Sequence, residues 1–193
     1  MYANGIGVES DRSKALAWYK KAAHHGHEDA LVILGYHYYT IATTISQEDI
    51  NSKKDNLNQA IQYFEKAADG GNVNAMEQLG DIFLSLAATP TLTLKGKRDR
   101  DHQRSRAVHY YTKAASMDHA KAQRELGKLY HAGIGVAQDY ERAYALFSRA
   151  ATQNDPAATL LLGNCYEHGH GTTQDHERAL ELYQRSAKLN YPL

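Results

Sequence analysis

The sequence predicts an all-α protein: a right-handed superhelix, or solenoid, of about five stacked helix pairs, with the first and last pairs incomplete. Three observations predict it. An alanine pair returns along the chain at a near-constant interval, small and apolar residues around each pair fall at helical spacing, and the same turn-forming residue types return at the same offsets.

The alanine pair stands at Ala22-Ala23, Ala67-Ala68, Ala114-Ala115 and Ala150-Ala151, and returns as Ser186-Ala187, giving steps of 45, 47, 36 and 36 residues. The basic unit is therefore 36 residues, with 9 extra in the second unit and 11 in the third. The units run approximately 1–26, 27–71, 72–118, 119–154 and 155–190 and form a single array over 1–193. The extra residues are expected in loop inserts at approximately 41–55 and 86–103.

One helix of each unit, helix B, precedes and includes the pair. Seven residues before the pair stands Ala15, Ala60, Ala107, Ala143 or Ala179, and three before it an aromatic, Tyr19, Phe64, Tyr111, Phe147 or Tyr183. These offsets form one stripe of an α-helix. Immediately before the pair is a cation (Lys21, Lys66, Lys113, Arg149 or Arg185) near the helix C-terminus, where the macrodipole favours positive charge. Asp11, Asn56, Asp139 and Asp175 share an offset ahead of the stripe and read as N-caps, with Gln103 in that place in the third unit. Gly26, Gly71, Asp118, Asn154 and Asn190 follow it, all types that tolerate a left-handed C′ conformation.

Helix A follows. Ala30, Leu34 and Tyr38 are repeated as Ala75, Leu79 and Phe83, then Ala122, Leu126 and Tyr130, then Ala158, Leu162 and Tyr166, a second stripe at steps of four. A glycine comes right after each leucine, at Gly35, Gly80, Gly127 and Gly163. Glycine inside a helix costs about 1 kcal/mol relative to alanine, so its return in every copy implies that a neighbouring helix comes close there. Helix A connects to helix B through Gly133-Ile134-Gly135-Val136 in the fourth unit and Gly169-His170-Gly171-Thr172 in the fifth, with Gly5-Ile6-Gly7-Val8 as the same loop in the first.

The repeated string A-x-x-x-L-G-x-x-Y-x-x-G-x-G-V-x-x-D-x-x-K-A-x-x-W/Y-Y/F-x-K-A-A-x-x-G resembles the Sel-one-like repeat, a relative of the tetratricopeptide repeat. The resemblance covers nearly the whole chain outside the two inserts. It implies a superhelical, non-enzymatic adaptor that binds a protein or peptide in its concave groove, or else a regulatory module of an enzyme complex whose catalytic part lies elsewhere. The paired cysteines of one bacterial branch are missing, since Cys165 stands alone. Carried over through the Leu-Gly anchor, the resemblance places the groove on Asp29, Val32, Tyr36 and Tyr39 of the second unit and on Asn74, Glu77, Asp81 and Leu84 of the third. In the fourth and fifth units it places it on Lys121, Arg124, Lys128 and His131, and on Ala157, Leu160, Asn164 and Glu167. The third unit is acidic there and the fourth basic, so a groove with adjacent charges of opposite sign is expected, suited to an extended peptide of mixed charge.

Other chemistries find less support. Net charge is +0, with 22 basic and 22 acidic residues, which argues against a nucleic-acid partner. No apolar run approaches the length of a membrane span, and neither a signal peptide nor a lipidation motif is present, so membrane insertion is not expected and a cytoplasmic location is. The G-x-G loops lack the third glycine, the preceding strand and the acidic residue of a dinucleotide fingerprint, and read as tight turns. Cys165, His168 and His170, and likewise His24, His25 and His27, crowd together in sequence without completing a ligand set, so no metal or other cofactor is expected. The run from Lys95 to His102, extended by Arg104 and Arg106, is locally basic but diluted by Asp99 and Asp101, and reads as a solvated insert with a secondary role in partner contact. No nucleophile and base stand at catalytic spacing. The opening Tyr2-Ala3-Asn4-Gly5 aligns with the end of a helix A and the closing Tyr191-Pro192-Leu193 with the start of one, so the array is expected to continue beyond both ends.

Overall fold

The computed structural model describes residues 11–44, 49–88 and 94–190. Among them are nine α-helices and no strand: α1 (Arg12–His24), α2 (Glu28–Thr44), α3 (Ile50–Asp69), α4 (Val73–Ala87), α5 (Leu94–Ser116), α6 (Ala120–Ala132), α7 (Tyr140–Thr152), α8 (Pro156–His168) and α9 (His176–Asn190). The odd-numbered helices are the predicted B helices and the even-numbered ones the A helices. The first Gly-x-Gly loop and the two chain ends lie outside the described residues. The chain divides into two compact units, Met1–Leu79 and Gly80–Leu193, with the boundary inside α4.

Both predicted stripes are interior. Ala60, Phe64 and Ala67 of α3 are fully buried, as are Ala107, Tyr111 and Ala114 of α5 and Ala143, Phe147 and Ala150 of α7. From the A helices come Ala30 and Leu34, Ala75 and Leu79, Ala122 and Leu126, and Ala158 and Leu162. Removing one such leucine or phenylalanine from water contributes about 1.5–3 kcal/mol.

The mid-helix glycines admit an aromatic ring. A Cβ on Gly35 would lie 2.6 Å from the ring of Phe64, and one on Gly80 2.5 Å from that of Tyr111. Gly127 stands in the same relation to Phe147, and Gly163 to Tyr183, each at 2.6 Å. In these four cases the aromatic three residues before the alanine pair, or before its Ser186-Ala187 equivalent, thus packs directly against the glycine of the preceding A helix. The close neighbour is a side chain of helix B, a more specific arrangement than the general approach of two helices that the sequence implied.

Every turn from helix B to helix A is three residues long: 25–27, 70–72, 117–119 and 153–155. In each, the last residue's amide donates back to the first residue of the alanine pair or its equivalent: His27 to Ala22, Asn72 to Ala67, His119 to Ala114 and Asp155 to Ala150. The middle residue is left-handed, as the composition predicted, at Gly26 (φ 77°), Gly71 (98°), Asp118 (62°) and Asn154 (61°). Asn190 instead closes α9 as its last residue.

The turns from A to B come in two kinds. Between α6 and α7, and between α8 and α9, seven residues suffice (133–139 and 169–175). The first glycine of each, Gly133 or Gly169, ends its helix in a left-handed conformation. The second, Gly135 or Gly171, is also left-handed and lies against backbone of the previous B helix, at Arg104 and at Tyr140 respectively. Asp139 and Asp175 then cap α7 and α9, accepting from the amides of Arg142 and Arg178, both at 2.9 Å.

The two inserts behave differently from the expected loops. The described part of each is mostly helix. α2 and α3, at 17 and 20 residues, exceed α6 and α7 at 13 each, and α5 reaches 23. Asn56, predicted as an N-cap, lies inside α3, where its amide donates to the Ser52 carbonyl at 2.8 Å; the cap is Asp49, which accepts from the Ser52 amide at 3.0 Å. Gln103 likewise lies inside α5. The basic run becomes the first turns of α5, and part of its charge is used within the fold: Arg106 stacks on Phe83 at 3.8 Å and Arg104 pairs with Asp101 at 3.6 Å. The physical reason is propensity. Lysine, arginine and glutamine are good helix formers, so a charged segment joined to a buried helix extends it at little cost.

Candidate partner-binding surface

The predicted groove residues fall on α2, α4, α6 and α8, all A helices. Asp29, Tyr36, Asn74, Lys128 and Leu160 are exposed; Val32, Tyr39, Asp81, Leu84, Lys121, Arg124, His131, Asn164 and Glu167 are half-buried. Tyr36 rests edge-on against Phe64, with ring centroids 5.1 Å apart, and keeps 40% of its surface in solvent. Glu77 departs from the expectation, being 8% exposed with the Gln78 amide at 3.4 Å from its carboxylate, so it belongs to the interior more than to the surface.

The expected juxtaposition of opposite charges is present between the third and fourth repeats, but the charges meet one another. Lys121 Nζ reaches Asp81 Oδ2 at 3.0 Å, while the Tyr111 hydroxyl donates to Oδ1 at 2.5 Å. Arg124 bonds both Asp155 at 2.5 Å and Glu125 at 3.1 Å, and Lys128 bonds both oxygens of Glu125 at 3.0 Å. Arg124 and its two partners are each no more than 16% exposed, so this ion pair network is shielded more than the median surface pair. Charges engaged in this way offer a mixed-charge peptide less than the sequence suggested.

What remains open is a cavity of about 480 Å³ beside α6 and α8. Three predicted groove residues, Lys128, His131 and Asn164, line it together with His168, His170 and Phe147. His131 Nε2 lies 3.1 Å from His170 Nδ1, and the His170 ring stacks on Tyr140 with centroids 4.2 Å apart and planes 4° from parallel. His168 Nδ1 is held by the Asn164 carbonyl at 3.0 Å. The Tyr183 hydroxyl sits between Asn164 Oδ1 and Glu167 Oε2, at 2.5 Å from each. Burial, and secondarily the charges of His170 and His168, hold the His131 imidazole below its ordinary pKa. Burial, with the Glu167 carboxylate, pushes the Tyr183 phenol up to about 12.

His168, His170 and Tyr140 were not legible as groove residues. Among the described residues no group of three or more His, Cys, Asp or Glu is placed to hold a metal ion. Cys165 is buried among Ala143, Phe147, Ala151, Leu162 and Leu182, and burial alone raises its thiol to about 11. The available signal was spacing: His170 follows His131 by 39 residues, close to one repeat, so the two project from neighbouring units.

The Sel1 repeat matches residues 1–27, 47–72, 74–119, 120–155 and 156–191. The chain belongs to the Sel1 repeat family. A solved Sel1 repeat protein from Oxalobacter formigenes is 29% identical, with a TM-score of 0.76, covering 97% of this chain and 69% of its own. A protective antigen of uropathogenic Escherichia coli displaying an SLR fold is 28% identical with a TM-score of 0.58, over 97% of this chain and 44% of its own. Among curated proteins, chitin synthase regulatory factor 1 of Schizosaccharomyces pombe is 30% identical over 141 residues, which is 72% of this chain and 27% of that protein. A Sel1-like repeat-containing protein of Acanthamoeba polyphaga mimivirus is 29% identical over 139 residues, 21% of its length. This Sel1 repeat chain therefore spans about a quarter of the curated relatives it matches. Among the described residues, no helix is long and apolar enough to cross a membrane.

Proposed function

We propose that this Sel1 repeat array is a non-enzymatic scaffold that holds a polypeptide partner in the groove formed by the solvent-facing positions of its A helices. The observation that carries the reading is a contrast within those helices. The Ala, Leu and Gly positions are repeated and buried in every copy, whereas the position after the glycine changes chemistry from Tyr36 to Asp81 to Lys128 to Asn164, and all four reach solvent. A frame held constant under a surface that varies is how repeat arrays build extended binding sites. Sel1 repeat proteins are in general protein-interaction scaffolds, which supports the same reading.

The test is affinity capture with the protein and with a variant carrying Tyr36→Ala, Lys128→Glu and Leu160→Asp. All three side chains are exposed, so folding should survive, as judged by helical circular dichroism. Partners retained by the parent and lost from the variant are expected; an identical set of partners would overturn the reading.

A second reading, regulation of an enzyme by binding it, is favoured by the likeness to chitin synthase regulatory factor 1. It predicts an enzyme among the captured proteins whose turnover changes when the array is added. Capture of non-enzymatic partners alone would count against it.

A further inference from the structure

The geometry points to the cavity beside α6 and α8 as a socket for one carboxylate side chain of a bound polypeptide, filled as the histidines around it take up protons. This inference rests on the scaffold reading and gives the partner a chemistry at one site.

The wall of the cavity is rich in donors. The Asn164 oxygen is already occupied by the Tyr183 hydroxyl, and the amide NH2 is the end available to face the cavity that Asn164 lines. Lys128 supplies the single fixed cation, shared with Glu125. Three imidazoles complete the lining: His131, His168 and His170. Among the lining residues none is a carboxylate. Phe147 and Leu161 add apolar surface, which suits the methylenes of a glutamate side chain.

The histidines make the socket conditional. His168 Nδ1 lies against the Asn164 carbonyl, which can only accept, so in the neutral ring Nδ1 holds the proton and Nε2 is an acceptor. His131 and His170 share one proton between Nε2 and Nδ1, so in the neutral pair only one of the two outward nitrogens is a donor. Protonation turns each remaining acceptor into an N–H donor and adds positive charge. The cavity then changes from mixed polarity to uniformly donating.

The surrounding groups are consistent with this gate. On α6, Glu125 is neutralised by Lys128 and Arg124. On α7, Tyr140 stacks on His170, and its sequence neighbours Asp139 and Glu141 line a separate opening with Gly169 and Gly171. On α8, Glu167 accepts from Tyr183 of α9. Nothing at neutral pH supplies a second fixed cation inside, which favours a carboxylate over a doubly charged phosphate. An anion within about 4–6 Å stabilises the imidazolium, and by reciprocity proton uptake tightens the anion.

The test uses the full chain and small probes, so that it reads the socket separately from partner capture. N-acetylglutamate, N-acetylglutamine and inorganic phosphate are titrated at pH 5.5 and 7.5 with EDTA present. The Asn164 side-chain amide and the three imidazoles are followed by NMR. Saturable shifts with N-acetylglutamate are expected at pH 5.5, with affinity about tenfold weaker at pH 7.5, equivalent to one pKa unit of coupling. N-acetylglutamine should give none. The pair His131→Gln with His170→Gln should abolish the pH dependence, and Asn164→Asp, which keeps the acceptor for Tyr183, should abolish binding at both pH values. Equal response to the glutamine probe, affinity independent of pH, preference for phosphate, or no shift at all would overturn the socket. Partner capture retained in any of those cases would leave the scaffold reading standing.

Discussion

The turns from A to B show the same join made in two ways. At 133–139 and 169–175 the chain crosses in seven residues, with two left-handed glycines and an aspartate cap. Ahead of α3 and α5 it takes a longer path, and most of the added residues wind onto the helices at either side. Yet Phe64 and Tyr111, beyond the long paths, meet Gly35 and Gly80 just as Phe147 and Tyr183, beyond the short ones, meet Gly127 and Gly163. The ring-on-glycine contact sets the register of each helix pair, and the connector has only to reach it. The short connectors are constrained residue by residue.

The largest effect that would sharpen this contrast is Gly171→Ala. Its φ of 75° disfavours any side chain, and a Cβ there would collide with the Tyr140 backbone, which cannot swing aside. A loss of about 3 kcal/mol is expected from the left-handed conformation and the forced displacement together, read by urea denaturation. Gly127→Ala tests the register contact itself. Its intruder would be the Phe147 ring, which can shift by repacking, so about 1–3 kcal/mol is expected. Should Gly127→Ala prove neutral, the ring-on-glycine contact does not set register.

The caps separate the two regions more finely. Asp139→Ala and Asp49→Ala should each cost about 1 kcal/mol, because each removes the acceptor for an orphan amide. Asn56→Ala, at the position equivalent to Asp139 in the repeat but inside α3, should cost only a few tenths of a kcal/mol, as for a surface substitution. Equal losses at 56 and 139 would mean that the long connector is a loop after all.

The smallest expected effect is in pH. The folded-state pKa of His131 is depressed, so its neutral form is favoured by folding. Its contribution is intact above the unfolded value of about 6.5 and is lost as pH falls through the folded value. The parent should therefore lose stability relative to His131→Gln between pH 7 and pH 5 in thermal melts. A constant difference between the two would remove the burial argument.

Much of this was readable from the amino-acid order. The alanine pair, the Ala-Leu-aromatic stripe and the caps Asp11, Asp139 and Asp175 all act locally, through hydrogen bonds or contacts within a few residues, and a one-dimensional pattern records them. Two kinds of feature escaped. The helical extensions into residues 49–55 and 94–103 carry no apolar stripe, so periodicity had nothing to detect. Interactions between units were also hidden, because they need the distance between repeats. The histidine cluster is one. Arg149 is another: beyond its place near its own helix end, its guanidinium reaches Asp118, in the turn one unit earlier, at 3.1 Å and the Ala115 carbonyl at the end of α5 at 3.4 Å. Arg185 does the same to Asn154 and Ala151, at 3.0 and 3.1 Å. On the A helices, the charge contrast between Asp81 and Lys121 was legible, but their mutual neutralisation was not.

These arginine contacts bear on how such a chain can grow. They tie the turns at 117–119 and 153–155 to the helix one unit later, and every described turn of that kind has the same length. An extra residue there would displace a left-handed centre, a backbone hydrogen bond and, in the last two cases, a guanidinium at once. The opposite junctions already absorb 9 and 11 additional residues in the same chain, largely as helix. Insertion is therefore tolerated at one class of junction and refused at the other, so a graft of new sequence belongs between an A helix and its following B helix.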